Sequence, residues 1–203
     1  MKYQIPFNKP HLNHKEMGYI SHAYSLGQLS GDGFYTKKCH LWLEKNTGTQ
    51  KALLTHSCST ALDMMAILID IKPGDEVIMP SFNFTSTANA IALRGGVPVF
   101  VDIRQDTLNI DEKLIEQVMT PKTKAIFVVH YGGVGAEMDT ILKIAKKHKL
   151  FVLEDAAHGI MATYKERHLG TMGDMGAYSF HETKNVISGE GGALLINNKR
   201  FIE

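Results

Sequence analysis

From residue 51 onward the chain alternates short apolar runs with longer stretches in which apolar positions recur every three or four residues. The runs KALLT (51–55), EVIMP (76–80), VPVFVDI (97–103), TKAIFVVHY (123–131), LFVLEDA (150–156), GAYSF (176–180) and GALLI (192–196) predict seven strands. They are close to continuously apolar, as strands covered on both faces are. Between them, STALDMMAILID (59–70), TSTANAIALRG (85–95), IDEKLIEQVM (110–119) and MDTILKIAKKHK (138–149) predict helices. In the last of these, Thr140, Ile141, Ile144 and Ala145 share a face, while Lys143, Lys146, Lys147 and Lys149 are left to solvent. Strand–helix alternation of this kind predicts an α/β fold, a mostly parallel seven-stranded sheet between helices. Ligands of such sheets bind beyond the carboxyl ends of the strands. The residues just after each strand are therefore the ones to inspect.

The first 50 residues differ. A helix is expected over about 13–26, then the glycine-rich turn LSGDGFYT, then the short amphipathic helix KKCHLWLEKN. This divides the chain into an N-terminal arm (1–35) and one domain (36–203). The 203 residues suffice for a single sizeable core. A net charge of +1 gives no electrostatic reason to expect nucleic acid or an anionic membrane as partner. Two cysteines, Cys39 and Cys58, make no disulfide framework and fit a reducing cytoplasm. MKYQIPFNKPH has no apolar signal core, and no apolar run is long enough to span a bilayer.

Four strand ends carry candidate chemistry. After LLT, the run Ser57-Cys58-Ser59-Thr60 opens a helix. Small hydroxyl residues there cap free amides, and they also leave the positive helix end open to an anion such as phosphate. After EVIMP comes Ser81-Phe82-Asn83-Phe84-Thr85, which offers an aromatic able to lie on a flat ring or to join the core. After LFVLE comes Asp155, then His158. A carboxylate behind four apolar residues is partly desolvated and needs a cationic partner, although Asp also caps helices well. Finally, SFHETKNVISGEGG sets Lys184 five residues after Ser179 and ahead of a glycine-rich tail. A lysine amine is protonated to about pH 10.4, and a Schiff base removes that obstacle to chemistry near neutrality. The order of phosphate-type helix start, aromatic, Asp, then Ser and Lys matches a lysine Schiff base with an aspartate on the ring nitrogen, the arrangement used for pyridoxal phosphate.

Other cofactor classes lack their marks. THSCSTALD has no glycine, against the GxGxxG of dinucleotide enzymes, and neither GK[ST], HExxH nor paired CxxC occurs. No metal site is expected.

At GDGFYTKKC, PGDEVIMPSFNFTSTANA, VHYGG, EDAAHG and SFHETKN the chain resembles the DegT/DnrJ/EryC1/StrS sugar aminotransferases. Within that family it is most similar to the dTDP-4-amino-4,6-dideoxygalactose transaminases of enterobacterial common antigen synthesis. The resemblance implies the large domain of the pyridoxal-phosphate-dependent transferase fold type I, the aspartate aminotransferase-like fold. It implies that Lys184 holds pyridoxal 5'-phosphate through a Schiff base and that Asp155 pairs with the pyridine nitrogen. It places His158 near the ring oxygen, Phe84 on the ring face, and Cys58, Ser59 and Ser179 around the phosphate. Gly31, Asp32, Gly33 and His130 would face the sugar nucleotide. Glutamate would give its amino group to the cofactor, which would pass it to C4 of a dTDP-4-keto-6-deoxy-hexose. The pathway would be enterobacterial common antigen or lipopolysaccharide synthesis. The family's chains are nearly twice this length, so a small C-terminal domain is expected beyond residue 203, and a homodimer. Amination of a 3-keto sugar remains an alternative, as does a cofactor- or partner-binding module without turnover.

Overall fold

The computed structural model describes residues 4–202. The first three residues of the expected N-terminal arm and the final glutamate lie outside the described residues. Two helices come first, α1 (Glu16–Ser25) and α2 (Phe34–Thr47). There follow β1 (Lys51–Thr55), α3 (Cys58–Leu68), β2 (Glu76–Pro80), α4 (Thr85–Ala92), β3 (Val97–Val101), β4 (Thr123–Val129), α5 (Met138–His148) and β5 (Phe151–Asp155). A two-stranded hairpin, β6 (Thr163–Tyr164) and β7 (Arg167–His168), precedes β8 (Met175–Ser179) and β9 (Gly192–Ile196). All seven strands predicted from apolar runs are present, each within two residues of its expected ends.

The seven strands form one sheet in the order β1-β9-β8-β5-β4-β2-β3. β9 is antiparallel to both β1 and β8, and the remaining neighbours pair in parallel. Only β9 is therefore reversed. The carboxyl ends of the other six strands and the start of β9 meet at one edge, where Thr55 and Ser179 both stand opposite Gly192.

Because side chains alternate across a strand, the sheet separates two cores. Val77, Met79, Ala125, Phe127, Leu153, Met175 and Ala177 pack under α3 and α4, against Leu62, Met65, Ala66, Ala90 and Ile91. Ile78, Ile126, Val128, Val152, Tyr178 and Leu195 pack under α5, against Met138, Ile141 and Ile144. The predicted apolar face of α5 is correct in Ile141, Ile144 and Ala145, which are buried, while Thr140 is exposed.

Three expectations change. Residues 110–119 are not a helix: Asp111 captures the amide of Lys113 with its side chain, and only a short 3₁₀ turn, Ile115–Val118, follows. Ile110 and Ile115 are nevertheless both buried, so the apolar spacing reflected burial and not a continuous helix. α4 stops at Ala92, since Gly95 turns the chain at φ 78°. The second helix starts at Phe34, earlier than its apolar pattern suggested, because extended Gly33 ends the turn and serves as its N-cap.

Gly192 is required by close approach: a Cβ there would collide with the backbone of Ser57 and Cys58. The glycine tail therefore lets the start of β9 pack against the first turn of α3.

Candidate active site

A cavity of about 540 Å³ opens at the carboxyl edge of the sheet, on the α3/α4 side. The ends of β4, β5 and β8 each send into it the residue that continues an α3/α4-facing row: Val129 follows Phe127, Asp155 follows Leu153, and Ser179 follows Ala177. Lys184, His158, Cys58, Ser59, Phe84 and Phe82 complete the arrangement.

Ser57 is the N-cap of α3, accepting the Thr60 amide at 3.1 Å. That leaves the first helical amides, Cys58 and Ser59, without an intrahelical acceptor. α4 starts beside it, and the hydroxyls of Ser59 and Ser86 meet at 2.7 Å. Two helix N-termini thus border one cavity, an arrangement suited to an anion. The buried Ser179 hydroxyl faces the same space. Burial pushes the Cys58 thiol well above its ordinary value, with the Asp155 charge adding to the rise and Lys184 opposing it.

Asp155 is 4% exposed. Oδ1 accepts the Ala157 amide at 3.1 Å and Oδ2 accepts the Thr87 hydroxyl at 2.7 Å. Among the described residues these are its hydrogen-bond partners, and neither carries a charge. A buried carboxylate in that state favours a cationic N–H in the adjoining cavity.

Lys184 Nζ lies 2.8 Å from Nε2 of His158, and the Gly132 amide points at Nδ1 from 3.2 Å. Burial lowers the His158 pKa, the Lys184 charge lowers it further, and Asp155 acts the other way. Phe84 is the N-cap residue of α4 and keeps 73% of its surface exposed, which leaves a free aromatic face at the cavity wall. Phe82 stacks at 4.8 Å, tilted, on Tyr131 across the mouth.

Lys184, Asp155, His158, Ser179, Cys58, Ser59 and Phe84 therefore converge. His130 does not. It is 1% exposed, its Nδ1 accepts the Ala136 amide at 3.1 Å, and its Nε2 donates to Glu154 at 2.8 Å. It belongs to the α5-facing row of β4, after Ile126 and Val128, so its side chain is directed away from the cavity. Gly31, Asp32 and Gly33 do not line the cavity either. They form a turn before α2 in which Gly31 and Asp32 are exposed and Gly33 is half-buried, and Asp32 lies 3.7 Å from Lys37.

Ser86 and Tyr131, which line the cavity, and Thr87, which bonds Asp155, carried no signal in the sequence. Of the hydroxyl run expected to cap α3, Ser57 is the N-cap itself. Thr87 carries no such mark, because its partner is 68 positions away.

The family model described as the DegT/DnrJ/EryC1/StrS aminotransferase family matches residues 10–203. The spore coat polysaccharide biosynthesis protein SpsC of Bacillus subtilis is 40% identical over 199 residues, covering 98% of this chain and 51% of that one. The putative sugar aminotransferase Spr1654 of Streptococcus pneumoniae, in its PLP form, superposes with a TM-score of 0.90 at 30% identity, over 98% of this chain and 54% of that one. DesI, solved in the presence of its TDP-sugar product, superposes with a TM-score of 0.87 at 30% identity, over 96% and 51%. The chain spans about half the length of these relatives.

Proposed function

The chain belongs to the DegT/DnrJ/EryC1/StrS aminotransferase family, and on that footing we propose that residues 36–203 form the cofactor-binding domain of a pyridoxal-phosphate-dependent sugar aminotransferase. Residues 1–35 are its N-terminal arm. The full-length protein would work as a cytoplasmic homodimer, taking an amino group from glutamate to C4 of a dTDP-4-keto-6-deoxy-hexose for a cell-surface polysaccharide.

One observation carries this reading. Asp155 is buried beside the cavity, hydrogen-bonded only to neutral donors among the described residues, and Lys184 opens onto the same cavity. The pair supplies what pyridoxal phosphate needs: an amine for its aldehyde and an anion for its ring nitrogen. When bound, the cofactor supplies an electron sink for chemistry at the carbon bearing the amino group. The chain's own residues do the rest. The amides of Cys58 and Ser59 and the hydroxyl of Ser179 hold the phosphate. Phe84 packs on the ring face. Asp155 keeps the ring nitrogen protonated, because an adjacent negative charge favours the cationic form. His158 hydrogen-bonds the ring oxygen. Lys184, whose amine would hold the cofactor, would also move the proton at the reacting carbon. SpsC belongs to polysaccharide synthesis and DesI was solved with a TDP-sugar product. The first agrees with a role in polysaccharide synthesis and the second with a nucleotide-linked sugar as the acceptor here, and the motif resemblance favours amination at C4.

The test is spectroscopic and then chemical. Protein mixed with pyridoxal phosphate should gain visible absorbance, and borohydride should fix the cofactor on the Lys184 peptide. Lys184→Ala should abolish both. Glutamate should then load the amino form, and a panel of dTDP-3-keto and dTDP-4-keto sugars should show which one discharges it. Reduction onto a different lysine defeats the assignment.

A further inference from the structure

We propose that Thr87 is the positioning residue of the Asp155 carboxylate, fixing the plane in which that carboxylate meets the ring nitrogen of the bound cofactor. The inference rests on the function proposed above. Thr87 is completely buried in the first turn of α4. Its amide donates to Phe84 O at 3.0 Å, within its own helix start. Its hydroxyl donates across to Asp155 Oδ2 at 2.7 Å.

The other carboxylate oxygen, Oδ1, accepts the Ala157 amide at 3.1 Å. One bond on each oxygen stops the carboxylate from turning about its Cβ–Cγ axis. Each oxygen keeps a second lone pair free, so a cationic N–H can still be accepted. The Ala157 amide is backbone, so no side-chain substitution removes it. The Thr87 hydroxyl is the half of the clamp that one atom change can delete. Threonine suits the task because its β-branch leaves few χ1 rotamers, and the bond to Oδ2 selects one of them. A fully buried hydroxyl is also costly to leave unpaired, which favours the bond to Oδ2.

Thr87 lies three residues after Phe84 in the same helical turn. The turn that presents the aromatic wall therefore also orients the carboxylate. Ring face and ring nitrogen would be aligned by one rigid element, so that stacking and ion pairing are satisfied by a single cofactor pose.

Two substitutions separate this from a packing role. Thr87→Val keeps the shape and removes the hydroxyl, whereas Thr87→Ser keeps the hydroxyl and removes the methyl. In protein reconstituted with pyridoxal phosphate, Thr87→Val should weaken cofactor affinity by about tenfold, the scale of one hydrogen bond to a charged group. It should also move the pH midpoint of the visible absorbance, and Thr87→Ser should restore both. Without cofactor, the melting-temperature losses of Thr87→Val and Asp155→Asn should fail to add, as expected of groups in direct contact. A Thr87→Val protein with wild-type affinity and an unmoved pH midpoint overturns the inference alone, as does Thr87→Ser failing to rescue. A wild-type protein that gains no visible absorbance overturns the proposed function and this inference with it.

Discussion

Glu154 is a position where a minimal substitution should be costly. It is 0% exposed, and its carboxylate receives four donors. Oε1 accepts the amides of Met172, at 2.6 Å, and of Gly173. Oε2 accepts the Gly170 amide at 2.9 Å and His130 Nε2 at 2.8 Å. Because His130 Nδ1 accepts the Ala136 amide, its Nε2 must carry the proton and donate. Glu154→Gln keeps the volume and turns one oxygen into an NH₂ group. Whichever oxygen is lost, two buried donors then face another donor. Leaving a buried donor unpaired costs about 1–3 kcal/mol, so the pair costs about 2–6 kcal/mol. A domain has only about 5–15 kcal/mol in total. At this size each kcal/mol moves the melting point by about 2–4 °C, and a loss of about 10 °C is expected. Thermal unfolding followed by far-UV circular dichroism measures it, with urea midpoints as a check. His130→Ala combined with Glu154→Gln should cost less than the two changes summed, since they share a partner. A melting point within about 2 °C of wild type would falsify the four-donor account.

Asp155→Asn removes the charge that favours a protonated ring nitrogen. Its half-reaction with glutamate, followed by stopped-flow absorbance, should slow by orders of magnitude while cofactor still binds; near-normal turnover counts against the role. His158 predicts a pH effect. Burial and Lys184 hold its folded pKa below the ordinary 6.5, so the folded ring takes up a proton less readily than the unfolded one. Its contribution to stability is complete above about pH 6.5 and is lost as pH falls through the lower folded value. Between pH 7.5 and 5, urea midpoints of the wild type should therefore fall more than those of His158→Gln, and parallel curves refute it.

Most of the site could be read from the order of residues at strand ends. Ser59, Phe84, Asp155, Ser179 and Lys184 are local signals, and a parallel sheet brings its strand ends to one edge whatever the loops between them do. His130 shows what that rule omits. Being next to a strand end is not enough, because alternate residues face opposite sides. Counting by twos from Phe127 selects Val129, whereas counting from Val128 selects His130. The sequence contains that parity, but which face carries the cavity depends on where α3 and α4 pack. That information lies in contacts such as Leu62 and Ile91 against the sheet. The 110–119 segment failed for a related reason: apolar spacing records burial, and turns stabilised by Asp111 bury the same positions that a helix would.

The adjacent acids of β5 follow from the same parity. Glu154 and Asp155 stand side by side in sequence and face opposite cores. Glu154 has four donors, two on each oxygen, and no capacity left for a ligand. Asp155 has one donor on each oxygen, which leaves room for a further donor from the cavity. Both are buried, so burial alone does not distinguish the saturated acid from the one proposed to meet the cofactor. The number of unfilled lone pairs does, together with the presence of Lys184 on the same side. Glu154 also ties the loop of Gly170, Met172 and Gly173 to His130, at the base of the segment carrying Tyr131. A saturated carboxylate on one face of β5 thus anchors His130, whose neighbours Val129 and Tyr131 line the cavity around the unsaturated carboxylate on the other.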